Sequence, residues 1–324
     1  MKKTVLSLLL APALALASYA GSAGAADYPQ KPIRMVVPFA PGGITDVMGR
    51  TIANKLTAEL GQPVIVENKP GASGMIGCEM VAKSAPDGYT LLMAGIAPLG
   101  TNPVMYKAIK YDPVKSFEHI SMIAKQPLIV AINPKIPANN IQELVAYLKK
   151  RPAGDMFYGT SGSSYQLITE AFTSALGVKM THVPFKGSTP AIEALIGGQI
   201  GFMIDPFSTL NGQVKGGRVK GLALTSDKRL EIANELPTVS ETAIAGFEAS
   251  SWQGVLAPAG TPADIVKKLN EAIVKILKTN EIKQQFAAAG VQPSPSTPAE
   301  FRKHIVDENA RWRKVADTAG IVAE

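Results

Sequence analysis

Three glycine-led loops carry the residues best suited to chemistry: Gly42-Gly43-Ile44-Thr45-Asp46, Gly162-Ser163-Ser164 and Gly187-Ser188-Thr189. Each precedes a helical pattern, so the first-turn N–H groups lack intrahelical partners and point at the loop. Together with the positive end of the helix dipole they favour a carboxylate or phosphate, and the glycines let an anion approach the backbone closely. Any one of these loops also reads as an ordinary strand-to-helix connection whose hydroxyl caps the helix. Three in one chain point to anion binding. Asp46 is accounted for by the dipole of its own first helical turn, so it supports the loop rather than touching an anion.

Other chemistries find no motif. Gly159-Thr160-Ser161-Gly162-Ser163 lacks the last glycine of a nucleophile elbow. Gly71-Ala72-Ser73-Gly74-Met75-Ile76-Gly77 has the wrong spacing for a dinucleotide fingerprint, and no phosphate-binding G-x-x-x-x-G-K-[ST] string occurs. His119, His182 and His304 have no partner at helical spacing, and the single cysteine, Cys78, excludes an intramolecular disulfide and a cysteine-rich zinc site. Cys78 reads as a small buried apolar residue. No metal, cofactor or catalytic residue is expected. A net charge of +7 without basic runs interleaved with aromatics points away from nucleic acid.

The elements that must position these loops alternate between strand and helix. Ile33–Val37 reads as a strand, Thr45–Leu60 as a helix stopped by Gly61, Val64–Val66 and Tyr89–Met93 as further strands. Downstream, Leu128–Ile132, Met156–Tyr158, His182–Phe185, Phe202–Ile204, Leu222–Leu224 and Trp252–Leu256 are strand-like, with helices at Ile141–Lys150, Tyr165–Leu176 and Pro190–Ile196. This alternation predicts parallel pairing with ligands beyond the carboxyl ends of the strands. The end of the chain reads as helical, with Thr261-Pro262 and Thr297-Pro298 as start signals. At 324 residues, 46% hydrophobic and 18% charged, the chain has the length for two α/β lobes and the apolar content for a sizeable core.

The N-terminus predicts export. Lys2 and Lys3, an apolar run from Val5 to Ala17 and small residues through Ala26 compose a secretory signal peptide over 1–26, cleaved near Ala25 or Ala26. The run is too short for a membrane anchor. A soluble periplasmic protein is therefore expected.

Six co-linear motifs then carry a family resemblance: Pro38-Phe39-Ala40-Pro41-Gly42-Gly43-Ile44-Thr45-Asp46; Asn68-Lys69-Pro70-Gly71-Ala72-Ser73-Gly74; Pro86-Asp87-Gly88-Tyr89-Thr90-Leu91; Val183-Pro184-Phe185-Lys186-Gly187-Ser188-Thr189-Pro190-Ala191; Gly197-Gly198-Gln199 with Asp205; and Leu256-Ala257-Pro258-Ala259-Gly260-Thr261-Pro262. Together they resemble the Bug family, the periplasmic solute-binding proteins of tripartite tricarboxylate transporters, over essentially the whole mature chain. The resemblance implies a type II periplasmic-binding-protein fold: two α/β lobes around a ligand cleft, with a C-terminal helical segment. Lobe 1 would comprise 27–126 and 250–324, and lobe 2 would comprise 127–249. It also implies a small carboxylate ligand, membrane transporter subunits as partners, a monomer and no catalysis.

Carried onto this chain, the resemblance implies a first carboxylate-gripping loop that uses Phe39, Pro41, Gly42, Gly43, Ile44 and Thr45. A second loop would use Thr160, Ser163, Ser164, Tyr165 and Gln166, with Lys186 and Asp205 lining the second lobe. By their own positions, Lys186 also reads as a solvated loop lysine and Asp205 as a cap of the turn before Pro206. The chain departs from the family's pattern in two places. Its second loop is shorter, with Gln166 where relatives carry His, and Ala94–Leu99 is apolar where relatives are often polar. Walls built from Phe39, Tyr165, Ile96, Pro98 and Leu99 would suit a carboxylate with an aromatic or otherwise apolar body, its carboxyl at Gly42, Gly43 and Thr45 and its far end near Ser163, Ser164 and Gln166. If Tyr165 packs instead as core, that wall vanishes and any small dicarboxylate remains open. Two other readings stay open: a sensor component that uses the same cleft to report ligand occupancy to a receptor, and an exported hydrolase or isomerase acting on a carboxylate.

Overall fold

The computed structural model describes residues 28–323; the leader expected over 1–26 lies outside them. Ten strands form one hydrogen-bonded array: β1 (Ile33–Val37), β2 (Val64–Asn68), β3 (Thr90–Gly95), β4 (Phe117–Ile132), β5 (Phe157–Thr160), β6 (Thr181–Pro184), β7 (Phe202–Pro206), β8 (Lys220–Leu224), β9 (Ser250–Pro258) and β10 (Gln292–Pro293). Their order is β2-β1-β3-β9-β4-β7-β5-β6, with β10 and β8 also pairing to β4.

β4 organises the array. Its first part, Phe117–Pro127, pairs with β9, and its last five residues, Leu128–Ile132, pair with β7 and β8. The predicted strand Leu128–Ile132 is therefore only the end of a 16-residue strand. The polar residues Glu118, His119, Ser121, Lys125 and Gln126 obscured its start. The chain returns where the Ala249 N–H donates to the Thr225 carbonyl and the Thr225 N–H donates to the Leu128 carbonyl, just before β9.

The predicted parallel pairing holds for β1 with β2 and β3, and for β5 with β6 and β7. It fails for β4, whose partners β7, β8, β9 and β10 all run antiparallel to it, and for β3 against β9. Strand–helix alternation predicts parallel neighbours only within a local crossover unit. β4 and β9 instead meet partners far away in sequence.

Buried apolar residues sit on both faces of the sheets. Met35, Met48, Ile52, Leu56, Met93 and Leu269 pack on one side of the first group of strands, whereas Leu92, Leu256, Trp252, Phe301 and Trp312 pack on the other. Ile129, Leu195, Met203, Phe207 and Leu224 fill a third cluster beside the second group. Cys78 is fully buried, as its sequence context predicts.

Two helix starts differ in detail. Thr297 accepts from the Glu300 N–H and is reciprocated, a complete capping box with Pro298 in the first turn. Thr261 does not cap: its hydroxyl donates to the Pro258 carbonyl at 2.8 Å, and Pro262 takes the capping position of Ala263–Leu277. The C-terminal helix Pro298–Ala319 packs on β4 and also reaches the helix Ser163–Leu176. Its Glu308 accepts from the indole N–H groups of Trp252, at 3.1 Å, and Trp312, at 2.9 Å. No helix among the described residues is long and apolar enough to cross a membrane.

Candidate ligand-binding site

The helix Ile44–Leu60 begins directly after β1 because Gly42, at φ +88, turns the chain sharply and Gly43 takes the extended capping position at φ −74. Only glycine adopts the first conformation readily. No side chain caps this helix. The loop is fixed from below by Asp46, which is buried and accepts three hydrogen bonds: from the Gly42 N–H at 3.0 Å, from Arg50 at 3.0 Å and from Asn68 at 2.8 Å. Asn68 also donates to the Phe39 carbonyl at 3.0 Å, which ties the second motif to the first. Burial would raise the Asp46 carboxyl, but the bonds from Arg50, Gly42 and Asn68 outweigh it and bring its pKa down to about 2.

The helix Ser163–Leu176 starts in the same way. Gly162 occupies the capping position, no side chain caps the helix, and Tyr165 and Gln166 donate to the Gly162 carbonyl. The two helix starts share one pocket of about 340 Å³, with Phe39, Gly43, Ile44 and Thr45 on one side and Ser161, Gly162, Ser163, Ser164 and Tyr165 on the other. Gly95, Ile96, Ala97 and Pro98 from the end of β3, Ser73, and Ser251 and Gln253 from β9 complete its walls. No lining residue carries a charged side chain, so what the walls offer an anion is backbone N–H groups and two helix dipoles. Among the described residues no cluster of His, Cys, Asp or Glu could hold a metal ion.

The predicted site residues divide accordingly. Phe39, Gly43, Ile44, Thr45, Ser163, Ser164 and Tyr165 line the pocket; Pro41, Gly42, Thr160, Gln166, Lys186 and Asp205 do not. The N–H of Gly42 is committed to Asp46. Pro41 and Lys186 are exposed, and Gln166 is half-buried. Thr160 is buried and hydrogen-bonds His182 at 2.7 Å. Asp205 is fully buried one layer behind the pocket, accepting from Ser161 and from Thr209. Burial pushes its carboxyl up, against the hydroxyl donors of Ser161, Thr209 and Ser188. Leu99, expected in the apolar wall, is wholly buried in the core; Ile96 and Pro98 do face the pocket.

Tyr165 both lines the pocket and packs against the core, and its phenol meets the Ser251 hydroxyl. Burial, with the Asp205 carboxylate nearby, pushes that phenol up, so it is neutral at physiological pH. Ser164 and Thr101 share a hydrogen bond of 2.7 Å across the pocket's edge. Sequence reasoning missed Ser73, Ser251 and Gln253. The last two carried a signal, as polar residues at alternate positions of a strand whose intervening Trp252 is apolar.

A family model described as the tripartite tricarboxylate transporter family receptor (TctC) matches residues 48–321. The chain belongs to this family. It is 37% identical to Protein BugT of Bordetella pertussis over 327 residues, spanning 100% of this chain and 98% of that protein. Among solved structures, an R. palustris protein with adipate is 35% identical with a TM-score of 0.81, covering 92% of this chain and 100% of that one. The periplasmic binding protein BugD is 34% identical with a TM-score of 0.77, at 92% and 100% coverage. MatC of Rhodopseudomonas palustris with bound malate is 29% identical with a TM-score of 0.75, at 89% and 99% coverage. The fold is thus the α/β periplasmic-binding-protein fold, and TctC-family chains are solute-binding proteins.

Proposed function

We propose that this protein captures a small organic carboxylate in the pocket between the Ile44 and Ser163 helix starts and delivers it to the membrane subunits of a tripartite transporter. The carrying observation is that two uncapped helix N-termini face one pocket lined by no charged side chain. Such a site attracts a carboxylate at either end and leaves the ligand body against Phe39, Ile44, Ile96, Pro98 and Tyr165. A molecule with three charges, such as citrate, has no compensating cation in these walls, so acids with an apolar or aromatic body are favoured.

In this reading the chain acts in the periplasm after removal of its leader, as a monomer and without catalysis. Lobe 1 comprises 27–126 and 250–324, lobe 2 comprises 127–249, and β4 with the start of β9 forms the crossings about which they close. Hinge closure is how periplasmic binding proteins signal occupancy, and the ligand drives it only through contacts made better in the closed state. The adipate and malate carried by two similar structures support the ligand class.

A thermal-shift screen of succinate, malate, adipate, benzoate and citrate beside neutral sugars tests this. A ligand at ~100 times its Kd adds ~2.7 kcal/mol. At least one mono- or dicarboxylate should raise the melting temperature and be recovered chemically unchanged. Stabilisation by sugars alone, or conversion of the acid, would refute the reading.

A further inference from the structure

Most hydroxyls around the pocket already have partners. Ser161 donates to Asp205, Ser164 pairs with Thr101, Ser251 with Tyr165, and Ser73 with Tyr106 at 3.3 Å. Gln253 differs. It lines the pocket, is only 7% exposed, and its Oε1 has no hydrogen-bond partner among the described residues. A buried acceptor left without a donor forfeits its hydration for nothing, so native structures keep one only where something else supplies the partner.

Its placement is specific. In β9, Ser251 and Gln253 face the pocket, while Trp252 between them points the other way, into the core against Glu308. Gln253 pairs in register with Gly95 of β3, and a Cβ at Gly95 would come within 2.6 Å of Oε1. The amide thus lies against a glycine that makes room for it. Rotation of the amide by half a turn exchanges Oε1 and Nε2. Oε1 lies against Gly95 as placed, so the amide presents its acceptor to a ligand only after that half-turn, which needs no movement of the backbone.

We infer that Gln253 determines specificity by accepting a hydrogen bond from an O–H or N–H on the ligand's body, so that the preferred ligand is a carboxylate bearing one such donor rather than the plain acid. The inference rests on the carboxylate reading above and deepens it. A second carboxylate would not serve Gln253 in this way, because it brings no proton to donate. It would take the amide N–H and leave the oxygen orphaned.

The test uses two matched pairs of acids that differ by one hydroxyl: succinate with malate, and 3-phenylpropanoate with 3-phenyllactate, titrated calorimetrically. A hydrogen bond to a desolvated amide corresponds to a preference of about five- to tenfold. The native protein should show that preference for the hydroxylated member of at least one pair. Gln253→Met, close in length and without the amide, should bring the ratio near one and melt no lower without ligand. Gln253→Asn, which withdraws the amide by one methylene, should give an intermediate ratio and decides the matter if the Met variant does not fold. Three results would each overturn the inference: no preference in the native protein, a preference that survives both substitutions, or an apo melting point several degrees lower for Gln253→Met, which would show that the amide is paired within the protein. If none of the four acids binds the native protein while another acid of the thermal-shift screen does, this inference fails alone; if no acid binds at all, the carboxylate reading itself fails and takes this inference with it.

Discussion

Asp46 is where stability and binding geometry meet, and replacing it with Asn separates its charge from its shape. All three of its hydrogen-bond partners are donors: Gly42 N–H and Arg50 on Oδ2, Asn68 on Oδ1. An amide offers one acceptor oxygen and sets an N–H against at least one of them. A carboxyl whose pKa falls from 3.8 to about 2 on folding contributes at most about 2.5 kcal/mol at neutral pH. Arg50 is 50% exposed, so solvent screens its share, and about 1–2 kcal/mol is expected for the whole. Because the folded pKa is depressed, this stability is fully present above the unfolded value near 4 and is lost as pH falls through about 2. Urea denaturation of both proteins at pH 7 and at pH 2.5 measures it. Asp46→Asn should be weaker by about 1–2 kcal/mol at pH 7, and the gap should shrink at the lower pH. Equal stability at pH 7, or a gap that persists undiminished in acid, would refute the assignment. Carboxylate affinity should also drop severalfold, since Gly42 is then no longer held and the neighbouring Gly43 and Ile44 N–H groups lose their aim.

Gly43→Val should weaken carboxylate binding at least tenfold with little loss of stability: φ is −74 there, and an added Cβ meets only the Ala40 carbonyl at 3.9 Å. Calorimetry beside a melting curve checks it, and unchanged affinity in a folded variant moves the site elsewhere. Gly95→Ala should do the opposite, because its Cβ would lie 2.0 Å from the Trp252 carbonyl and force β3 away from β9. A loss of about 3 kcal/mol in urea denaturation is expected, and a loss below ~0.5 kcal/mol would disprove the close approach.

Part of this site was legible without coordinates because its chemistry is local. A glycine-rich stretch between a β-branched run and a helical pattern exposes unpaired N–H groups wherever it sits, so Gly43, Ile44, Thr45, Ser163 and Ser164 could be named from spacing. The same local logic does not see partners that are remote in sequence. Gly42 looks equivalent to Gly43, yet its N–H is turned onto Asp46. Asp205 and Thr160 entered the expected site through the family resemblance rather than through spacing, and Ser161, Thr209 and His182 take up their polar atoms behind the pocket.

The sequence by itself determined the family, the alternation of strands and helices, and the two helix starts, because periodicity, capping and glycine turns act over a few residues. Only the tertiary structure decided that both starts open into one pocket, that β4 runs through both strand groups, and that Ser251 and Gln253 of β9 form a wall. Those facts depend on antiparallel pairing between strands more than a hundred residues apart, such as His119 with Leu256 and Lys125 with Trp252. Such pairings are selected by burial of the whole sheet rather than by any local pattern.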